Sequence, residues 1–434
     1  MQKQQQYVLR TVEERGIRFI RLWFTDILGF LKSFAITPAE LEAAFEEGMR
    51  FDGSAIDGFS RDQEADMLAR PDATTFQILP WRGQSEAGVA RMFCDIVTPD
   101  GDPFEGDPRW VLRRNLERAH ELGFSFYVGP EVEYFYFADQ GSDPQVLDQG
   151  GYFDLTPLDV AQEYRRMTIT ALEQLGIPVE SSHHEVSPSQ HELDLRHTDA
   201  MTMAENLVTT RLAVKEVAME HGIYATFMPK PLEGYDGSGL HLHLSLFQGD
   251  ENAFSEASDE YGLSKAAYGF IAGLLRHGPE ITAVTNQWVN SYKRLVTGFD
   301  APVYGMWGVR DQTAVVRVPT PKKGKIDSTR IEYRAPDPAC NPYLAFSAIL
   351  SAGLAGIESN YPMPDRINQD SRSGLHRLPT SLADALDAME ASDLVRGSLG
   401  DHVFEWFLRN KRREWERYAH HVSRFELDNY LPVL

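Results

Sequence analysis

Three short segments of the chain place a polar or charged side chain at every second position, which is the pattern of a β-strand with one polar face. They read PEVEYFYF, GLHLHLSLF and TRIEYRAP. One such strand is typical of a solvated sheet face. Three of them, in a region otherwise rich in amphipathic helices, predict that the polar faces line one cavity. Those faces carry Glu131 and Glu133, then His241, His243 and Ser245, then Arg330, Glu332 and Arg334.

Carboxylates that converge in a cavity repel each other unless cations lie between them. A fourth segment, SSHHEVSPSQHELDL, adds Glu185 and Glu192 around a turn that contains proline. Hard oxygen ligands with an occasional imidazole suit Mg²⁺ or Mn²⁺, and this many ligands suit two or more ions better than one. For the adjacent His183 and His184, a pair of surface or hydrogen-bonded histidines is the favoured interpretation.

Arginines form the complementary set. Arg294 lies in NSYKRLV and Arg317 in VVRVP, while Arg330 and Arg334 flank Glu332. Guanidinium groups beside metal-bound carboxylates can hold a phosphate and a substrate carboxylate. The chain has no GxxxxGK[ST] loop and no GxGxxG motif that opens a helix, so a nucleotide would be held by metals and arginines. The residues alone therefore predict a two-metal phosphoryl-transfer enzyme and leave its substrate open.

The order of segments predicts an α+β chain of two domains. The first hundred residues read as a small mixed unit of strands and helices, and TPDGDPFEGDPR (98–109) is rich in the residues that end domains. Beyond it, amphipathic helices alternate with short strands. We therefore predict an N-terminal domain over residues 1–102 and a catalytic domain over residues 103–434.

Charge and composition exclude several classes of partner. The 434 residues include 42 Lys and Arg against 64 Asp and Glu, a formal net charge of −22, which disfavours nucleic acid and anionic membranes. The two cysteines, Cys94 and Cys340, cannot form a disulfide framework. The N-terminal residues lack an apolar signal segment, and the most apolar stretch, 341–358, reads as a buried helix. We expect a cytoplasmic protein.

Ordered motifs over essentially the whole chain resemble the glutamine synthetase family. They include FDGSAIDGF, the PEVEYF strand, HHEV, GSGLHLHLSL, NSYKRLV and RIEYRAPDPACNPYLAFSA. The resemblance implies a small β-grasp-like N-terminal domain and a larger catalytic domain with an antiparallel sheet lined by helices. It implies a ligase that uses ATP to form γ-glutamyl phosphate, with glutamate and ammonia or an amine as its other substrates. It also implies a homo-oligomer, a dodecamer of two hexameric rings with active sites shared between neighbouring subunits.

The resemblance assigns roles to residues by motif position. It implies metal ligands on the nucleotide side at Glu131, His241 and Glu332, and on the glutamate side at Glu133, Glu185 and Glu192. It implies substrate contacts at Arg294, Arg334, Gly237 and Tyr152, and an ATP pocket at His243, Ser245, Arg330 and His197. Catalytic roles fall to Arg317, to Glu185, to a flap acid at Asp300, and to Asp52, which would help to deprotonate ammonium in the neighbouring subunit's site.

The departures from the family's motifs cluster around the amine acceptor. Ala55 replaces a serine, Asp300 replaces a longer glutamate, and Gln312 replaces an arginine near the transferred phosphate. Losing a hydroxyl and a methylene weakens a cage that selects ammonium. We therefore expect an acceptor larger than ammonia, such as a polyamine, as in the branch of the family that includes γ-glutamylpolyamine synthetases. An ordinary glutamine synthetase and a non-catalytic structural or regulatory ring remain the alternatives.

Overall fold

The computed structural model of the chain describes residues 2–54, 56, 66–82, 88–299, 301–309, 311, 313–320, 328–364 and 377–434. Ala55, Asp300 and Gln312 lie outside the described residues. In the N-terminal part the helices are α1 (Lys3–Glu14) and α2 (Leu41–Glu47), and the strands are β1 (Ile17–Thr25), β2 (Leu31–Ile36), β3 (Met49–Asp52), β4 (Asp66–Pro71), β5 (Gln77–Ile78) and β6 (Gly88–Val97).

These strands form one six-stranded mixed sheet. Its order is β2-β1-β6-β4-β3, with β5 paired to β6. The hairpin β1–β2 is antiparallel, whereas β1 and β6 run parallel. Apolar residues of α1, α2 and the sheet, among them Val8, Leu22 and Met92, form a hydrophobic cluster of their own.

The rest of the chain surrounds a second sheet. Its strands are β7 (Ser125–Phe137), β8 (Val179–His184), β9 (Gln190–Leu195), β10 (Thr198–Asp199), β11 (Tyr224–Thr226), β12 (Leu240–Gln248), β13 (Glu251–Asn252), β14 (Tyr304–Val309), β15 (Ala314–Val318) and β16 (Ile331–Tyr333). Its helices are α3 (Pro108–Glu121), α4 (Gln162–Gln174), α5 (Ala200–Glu220), α6 (Lys265–Thr285), α7 (Ser291–Arg294), α8 (Pro342–Glu358), α9 (Leu382–Glu390), α10 (Asp393–Leu399), α11 (Asp401–Ala419) and α12 (Arg424–Tyr430).

The path through this sheet is β14-β15-β16-β12-β7-β9-β8. Its described strand pairs are antiparallel except for β14 and β15, which run parallel. The α+β class predicted from the sequence is confirmed, and the parallel pair is a detail that the pattern did not predict. The predicted boundary at residues 102/103 falls between β6 and α3 and stays a prediction.

Helices α6 and α8 pack against each other with their backbones in contact. A Cβ atom added at Gly273 of α6 would lie only 2.1 Å from the carbonyl oxygen of Ala352 in α8. No side chain larger than hydrogen fits at this crossing. Helix α8 is buried along most of its length, as expected for residues 341–358. Among the described residues, no helix is both long and apolar enough to cross a lipid bilayer.

One buried arginine joins the two parts of the molecule. Arg109, near the start of α3, donates from Nε to Glu205 Oε1 of α5 at 2.9 Å and from Nη2 to Asp72 Oδ2 at 2.6 Å. It also pairs with Asp95 on β6. The Arg109 side chain is 5% exposed, so its charge depends on these carboxylates.

Candidate active site

The strand register, rather than the loops, assembles the polar residues predicted from the three alternating segments. Within the antiparallel pair β7–β12, Glu131 lies directly opposite His241. In the pair β12–β16, His243 lies opposite Glu332, and Glu332 lies opposite Arg317 of β15. Directly opposed side chains in a sheet are neighbours, with Cβ atoms about 5 Å apart. The polar faces of adjacent strands therefore form one surface.

On this surface Glu131, His241 and Glu332 each offer one ligand-type atom within 4.8 Å of the other two. His241 Nδ1 lies 3.2 Å from Glu131 Oε2 and 4.0 Å from Glu332 Oε1. Two ligands of one Mg²⁺ ion are at most about 4.2 Å apart when its bonds are about 2.1 Å long. The three residues predicted for the nucleotide-side metal therefore need only small movements to share one cation.

A second group lies on the neighbouring strands and differs in part from the predicted one. His183, Glu185 and Glu192 each place one ligand-type atom within 4.8 Å of the others. His183 Nε2 is 2.8 Å from Glu185 Oε1. Glu133, which was predicted here, lies opposite Glu192 in the β7–β9 register, and its Oε2 accepts hydrogen bonds from Gly239 N at 2.8 Å and Gln190 Nε2 at 3.0 Å.

Sequence reasoning therefore missed His183 as a member of this group. The favoured interpretation, a hydrogen-bonded histidine, describes the contact of His183 with Glu185. It does not predict that His183 lies within reach of the same cation as the acids. The missing signal is the register of β8 and β9, which places His183 opposite Glu192.

The shifted pKa values of these acids are consistent with a site for divalent cations. Burial, with the charge of Glu185, raises the pKa of Glu133 to about 8. Burial and the charge of Glu133 also raise the pKa of Glu192 well above its usual value. Buried carboxylates that cannot all ionise together are stabilised by a cation placed between them. The buried Nε2 of His241 has no hydrogen-bond partner among the described residues, which is a further unmet polar group at this site.

Arginines surround Glu332 on both sides. Arg334 Nη1 donates to Glu332 Oε1 at 2.6 Å, and Arg317 pairs with the other carboxylate oxygen. Although burial alone would raise it, the pKa of Glu332 is lowered by the neighbouring His243, His241 and Arg334. The two predicted phosphate- and substrate-facing arginines are therefore held at the nucleotide-side group.

Arg294, predicted to bind the substrate carboxylate, is 2% exposed. Its guanidinium donates to the carbonyl oxygens of Ala335 at 2.9 Å, Pro336 at 3.1 Å and Arg334 at 3.2 Å. A Cβ atom at Gly237 would lie 3.2 Å from Arg294 Cβ, so the predicted substrate loop does adjoin this arginine. Its substrate contact stays a prediction, because main-chain oxygens occupy these donors.

The four residues predicted for ATP line one cavity of about 580 Å³ that also borders Glu131. They are His197, His243, Ser245 and Arg330. Arg330 Nε donates to His243 Nδ1 at 3.1 Å, so the proton of His243 lies on Nε2, which is 2.7 Å from Glu131 Oε1. The cavity thus adjoins the nucleotide-side group, and its size is in the range of ligand pockets.

Two exposed aromatic rings lie beside His183, the partner of Glu185. Tyr152 and Phe153 stack with ring centroids 4.1 Å apart. The His183 ring is nearly perpendicular to both, with its centroid 5.3 Å from that of Tyr152 and 4.7 Å from that of Phe153. Asp52, by contrast, ends β3 at the edge of the N-terminal sheet and accepts a hydrogen bond from Ser54 N. Neither described acid–imidazole group nor the cavity includes Asp52. Its contribution to a neighbouring subunit stays a prediction.

Comparison with known families assigns both parts of the chain. Residues 16–99 match the model of the glutamine synthetase beta-Grasp domain, and residues 105–430 match the glutamine synthetase catalytic domain. The fold and the site together define an ATP-dependent ligase. The chain belongs to the glutamine synthetase family and is an ATP-dependent glutamate ligase.

Individual relatives cover the same length. A curated glutamine synthetase from Mycolicibacterium smegmatis is 54% identical over 100% of both chains, and one from Thermotoga maritima is 46% identical over 98% of both. Among solved structures, a GmaS/ADP complex has a TM-score of 0.89 at 31% identity and covers 98% of this chain and 99% of its own. A Plasmodium falciparum glutamine synthetase shares the fold, with a TM-score of 0.89 at 24% identity and 98% coverage of both chains.

Proposed function

We propose that the protein joins glutamate to a primary organic amine through γ-glutamyl phosphate, at the expense of ATP. The observation that carries the reaction type is the continuous surface formed by the ATP cavity, the two acid–imidazole groups and the arginine pair around Glu332. Such a surface can hold a nucleotide, neutralise its phosphates and present an acid to an amine.

The reaction has two steps. A γ-carboxylate oxygen of glutamate bonds to the γ-phosphorus of ATP while the bond from that phosphorus to the bridging oxygen breaks, which releases ADP. The amine nitrogen then bonds to the γ-carbonyl carbon, the carbon–oxygen bond to phosphate breaks, and the amine proton passes to a carboxylate. We assign Glu185, an acid on the acceptor side, as the group that accepts this proton. Asp52 of a neighbouring subunit is proposed to assist it.

We propose that Mg²⁺ or Mn²⁺ is held by Glu131, His241 and Glu332 and, separately, by Glu185 and Glu192, with Glu133 and His183 adjoining the second group. Bound there, the cations supply charge neutralisation for the transferring phosphoryl group. Arg317 and Arg334 lie close enough to Glu332 to add positive charge on the same side. Arg330 and His243 border the cavity and would orient the nucleotide.

The choice of an organic amine rests on the substitution at Ala55 and on the acceptor surface. A serine hydroxyl that could accept a hydrogen bond from ammonium is absent at Ala55. Tyr152 and Phe153 are 56% and 61% exposed beside the Glu185 side of the site, and aromatic faces attract alkylammonium cations. One structural neighbour, GmaS, is a glutamylmethylamide synthetase, a name that denotes the amide of an amine larger than ammonia.

The first test measures phosphate release with glutamate, ATP and Mg²⁺ while ammonium, putrescine, spermidine and ethanolamine are compared as acceptors. We expect at least one organic amine to give a higher kcat/KM than ammonium, with its γ-glutamyl amide identified by mass. Substitution Ala55→Ser should raise the kcat/KM for ammonium about fivefold, because one hydrogen bond is worth about 1 kcal/mol. The exposed Ala39→Ser in the same domain is the matched control and should change neither value.

A higher kcat/KM for ammonium than for every organic amine would contradict the acceptor assignment. The protein would then be a glutamine synthetase, the second candidate. That candidate is favoured by the curated relatives of 46–54% identity, which bear that name. Phosphate release with neither ammonium nor any amine would favour the non-catalytic ring.

We propose that the protein forms a homo-oligomer of two hexameric rings, with α12 and the residues around it as one contact between copies. In this segment Val422, Phe425, Leu431 and Val433 are 61–77% exposed. A row of large apolar side chains in water is unfavourable and typically marks a protein interface. The shared active site predicted from the FDGSA loop likewise requires a neighbouring subunit.

Removal of residues 422–434 should therefore convert a twelve-subunit species into hexamers or smaller species in mass photometry. The double substitution Phe425→Ser and Leu431→Ser should act in the same direction, because it removes apolar contact area without shortening the chain. Arg424→Ala, which breaks an exposed ion pair with Asp428 on the same helix, is the control and should leave the assembly intact. A truncated protein that still forms the twelve-subunit species would refute this contact.

A further inference from the structure

A third group of ligand-type side chains lies buried behind Glu185. Asp148, His184 and His191 each place one such atom within 4.8 Å of the others. Arg165 Nη1, however, lies 2.8 Å from His191 Nδ1, and a guanidinium can only donate. His191 therefore carries its proton on Nε2, the ring nitrogen that has no other partner, and offers no lone pair to a cation. The group is a hydrogen-bond network and not a metal site.

Asp148 is the centre of this network. Its Oδ1 accepts from Ser189 N at 2.9 Å and lies 3.1 Å from His184 Nε2. On the other side of the same ring, His184 Nδ1 is 2.7 Å from the carbonyl oxygen of Glu185. A carbonyl oxygen can only accept, so the imidazole donates to it. The Asp148 carboxylate and the main-chain carbonyl of Glu185, the proposed acceptor-side acid, therefore contact the two nitrogens of one imidazole from opposite sides.

The same hydrogen-bond network also fixes the position of the loop that carries the two aromatic residues of the site. Phe153 N donates to the carbonyl oxygen of His184 at 3.0 Å, and Leu147 N donates to Ser189 Oγ at 2.6 Å. Phe153 and Ser189 have φ angles of 62° and 60°, in the left-handed region that residues with side chains avoid. Such conformations persist only where surrounding contacts hold them, and they concentrate at functional sites.

The ring of His184 also has no room to move toward this loop. A Cβ atom added at Gly150 would lie 2.7 Å from His184 Nε2. His184 is fully buried, and Asp148 has a side chain that is 2% exposed. The loop, the imidazole and the corner between β8 and β9 are therefore packed as one unit.

We propose that Asp148 is a positioning residue for amine binding: through His184 it fixes Glu185 and the Tyr152–Phe153 pair without touching a substrate. The inference rests on the proposed acceptor roles of Glu185 and Tyr152. It assigns a function to buried polar residues that the ATP cavity and the two acid–imidazole groups do not include.

The test compares steady-state constants of the full-length assembled enzyme for Asp148→Ala, Asp148→Asn and Gly150→Ala. We expect Asp148→Ala to raise the KM for the acceptor at least about tenfold, because small displacements of binding groups are costly. The KM for ATP should stay within about twofold, since the ATP cavity borders none of these residues. Asp148→Asn keeps an acceptor oxygen and should recover most of the loss, and Gly150→Ala should reproduce it.

The matched control is Asp139→Ala, which removes an exposed acid whose hydrogen bond within the described part of the chain is to Gly141 N in the preceding turn. It should change neither the acceptor KM nor the ATP KM. Equal changes in both KM values, or an unchanged acceptor KM in Asp148→Ala, would overturn the inference. If Asp148→Ala fails to fold, Gly150→Ala decides, since it leaves Asp148 in place.

A wild-type enzyme that uses neither ammonium nor any amine would refute the proposed function instead. The inference then depends on crystal structures of the wild type and of Gly150→Ala. Displacement of the Glu185 carboxylate by about 1 Å would support it, and an unmoved carboxylate would overturn it.

Discussion

Substitution Glu332→Gln should lower kcat/KM for ATP by about a thousandfold or more. Glu332 is buried on β16, where its carboxylate accepts from Arg334 and pairs with Arg317, and it is a ligand-type neighbour of His241. Glutamine keeps the shape and removes the charge. The proposed cation would lose an anionic ligand, and the two arginines that we propose to face the transferred phosphate would lose their charged partner.

The same variant tests metal binding without a catalytic readout. At a hundred times its Kd, a divalent cation that binds only the folded protein stabilises it by about 2.7 kcal/mol. We expect Mn²⁺ or Mg²⁺ to raise the Tm of the chelator-treated wild type and to raise that of Glu332→Gln by only about half as much, since the second group, with Glu185 and Glu192, is left in place. Glu251→Gln, an exposed change on β13 of the same sheet, is the control. A Glu332→Gln enzyme within tenfold of wild-type activity would contradict the nucleotide-side assignment.

The largest effect on stability is expected for Arg109→Met. The change leaves Glu205 buried without its ion-pair partner and removes the arginine that pairs with Asp72, while Asp95 keeps Arg113 as a second partner. Breaking a buried charge pair from one side costs about 3–5 kcal/mol. We expect a Tm lower by about 3–5 °C in scanning calorimetry.

A matched control lies on the same helix. Arg118 pairs with Glu358 at 2.6 Å, but the two side chains are 48% and 37% exposed. Exposed pairs contribute about 0–1 kcal/mol, so Arg118→Met should shift the Tm by less than about 2 °C. The double variant Arg109→Met and Glu205→Gln should recover part of the loss, because it no longer leaves Glu205 charged. Equal shifts for Arg109→Met and Arg118→Met would disprove the special role of the buried pair.

The strand pattern was sufficient to predict the central surface of the site. Alternation placed Glu131 and Glu133 on one face, and the same logic applied to His241 and Glu332; adjacent strands then brought the faces together. Alternation specifies a face but not a register. His183 escaped prediction for that reason, since only the pairing of β8 with β9 sets it opposite Glu192.

The sequence pattern could not predict contacts between distant segments of the chain. Asp148 lies in a stretch that reads DQGGYF and meets His184 36 residues later, while Arg109 meets Glu205 across 96 residues. Neither pair follows a periodic pattern or a characteristic spacing in the sequence, because each contact forms only through loop closure or helix docking. The sequence likewise predicts that Arg294 is near substrate but not that main-chain carbonyls occupy its guanidinium.

The contact between α6 and α8 determines where new acceptor specificity can arise. Because Gly273 meets the Ala352 carbonyl oxygen with no space for a methyl group, one added carbon would separate the two helices. Helix α6 also packs on β15, which carries Arg317, so that separation would displace a proposed phosphate contact. Laboratory evolution toward other amines should therefore collect its tolerated substitutions at Ala55 and in the loop that carries Tyr152, while the helix pair stays unaltered.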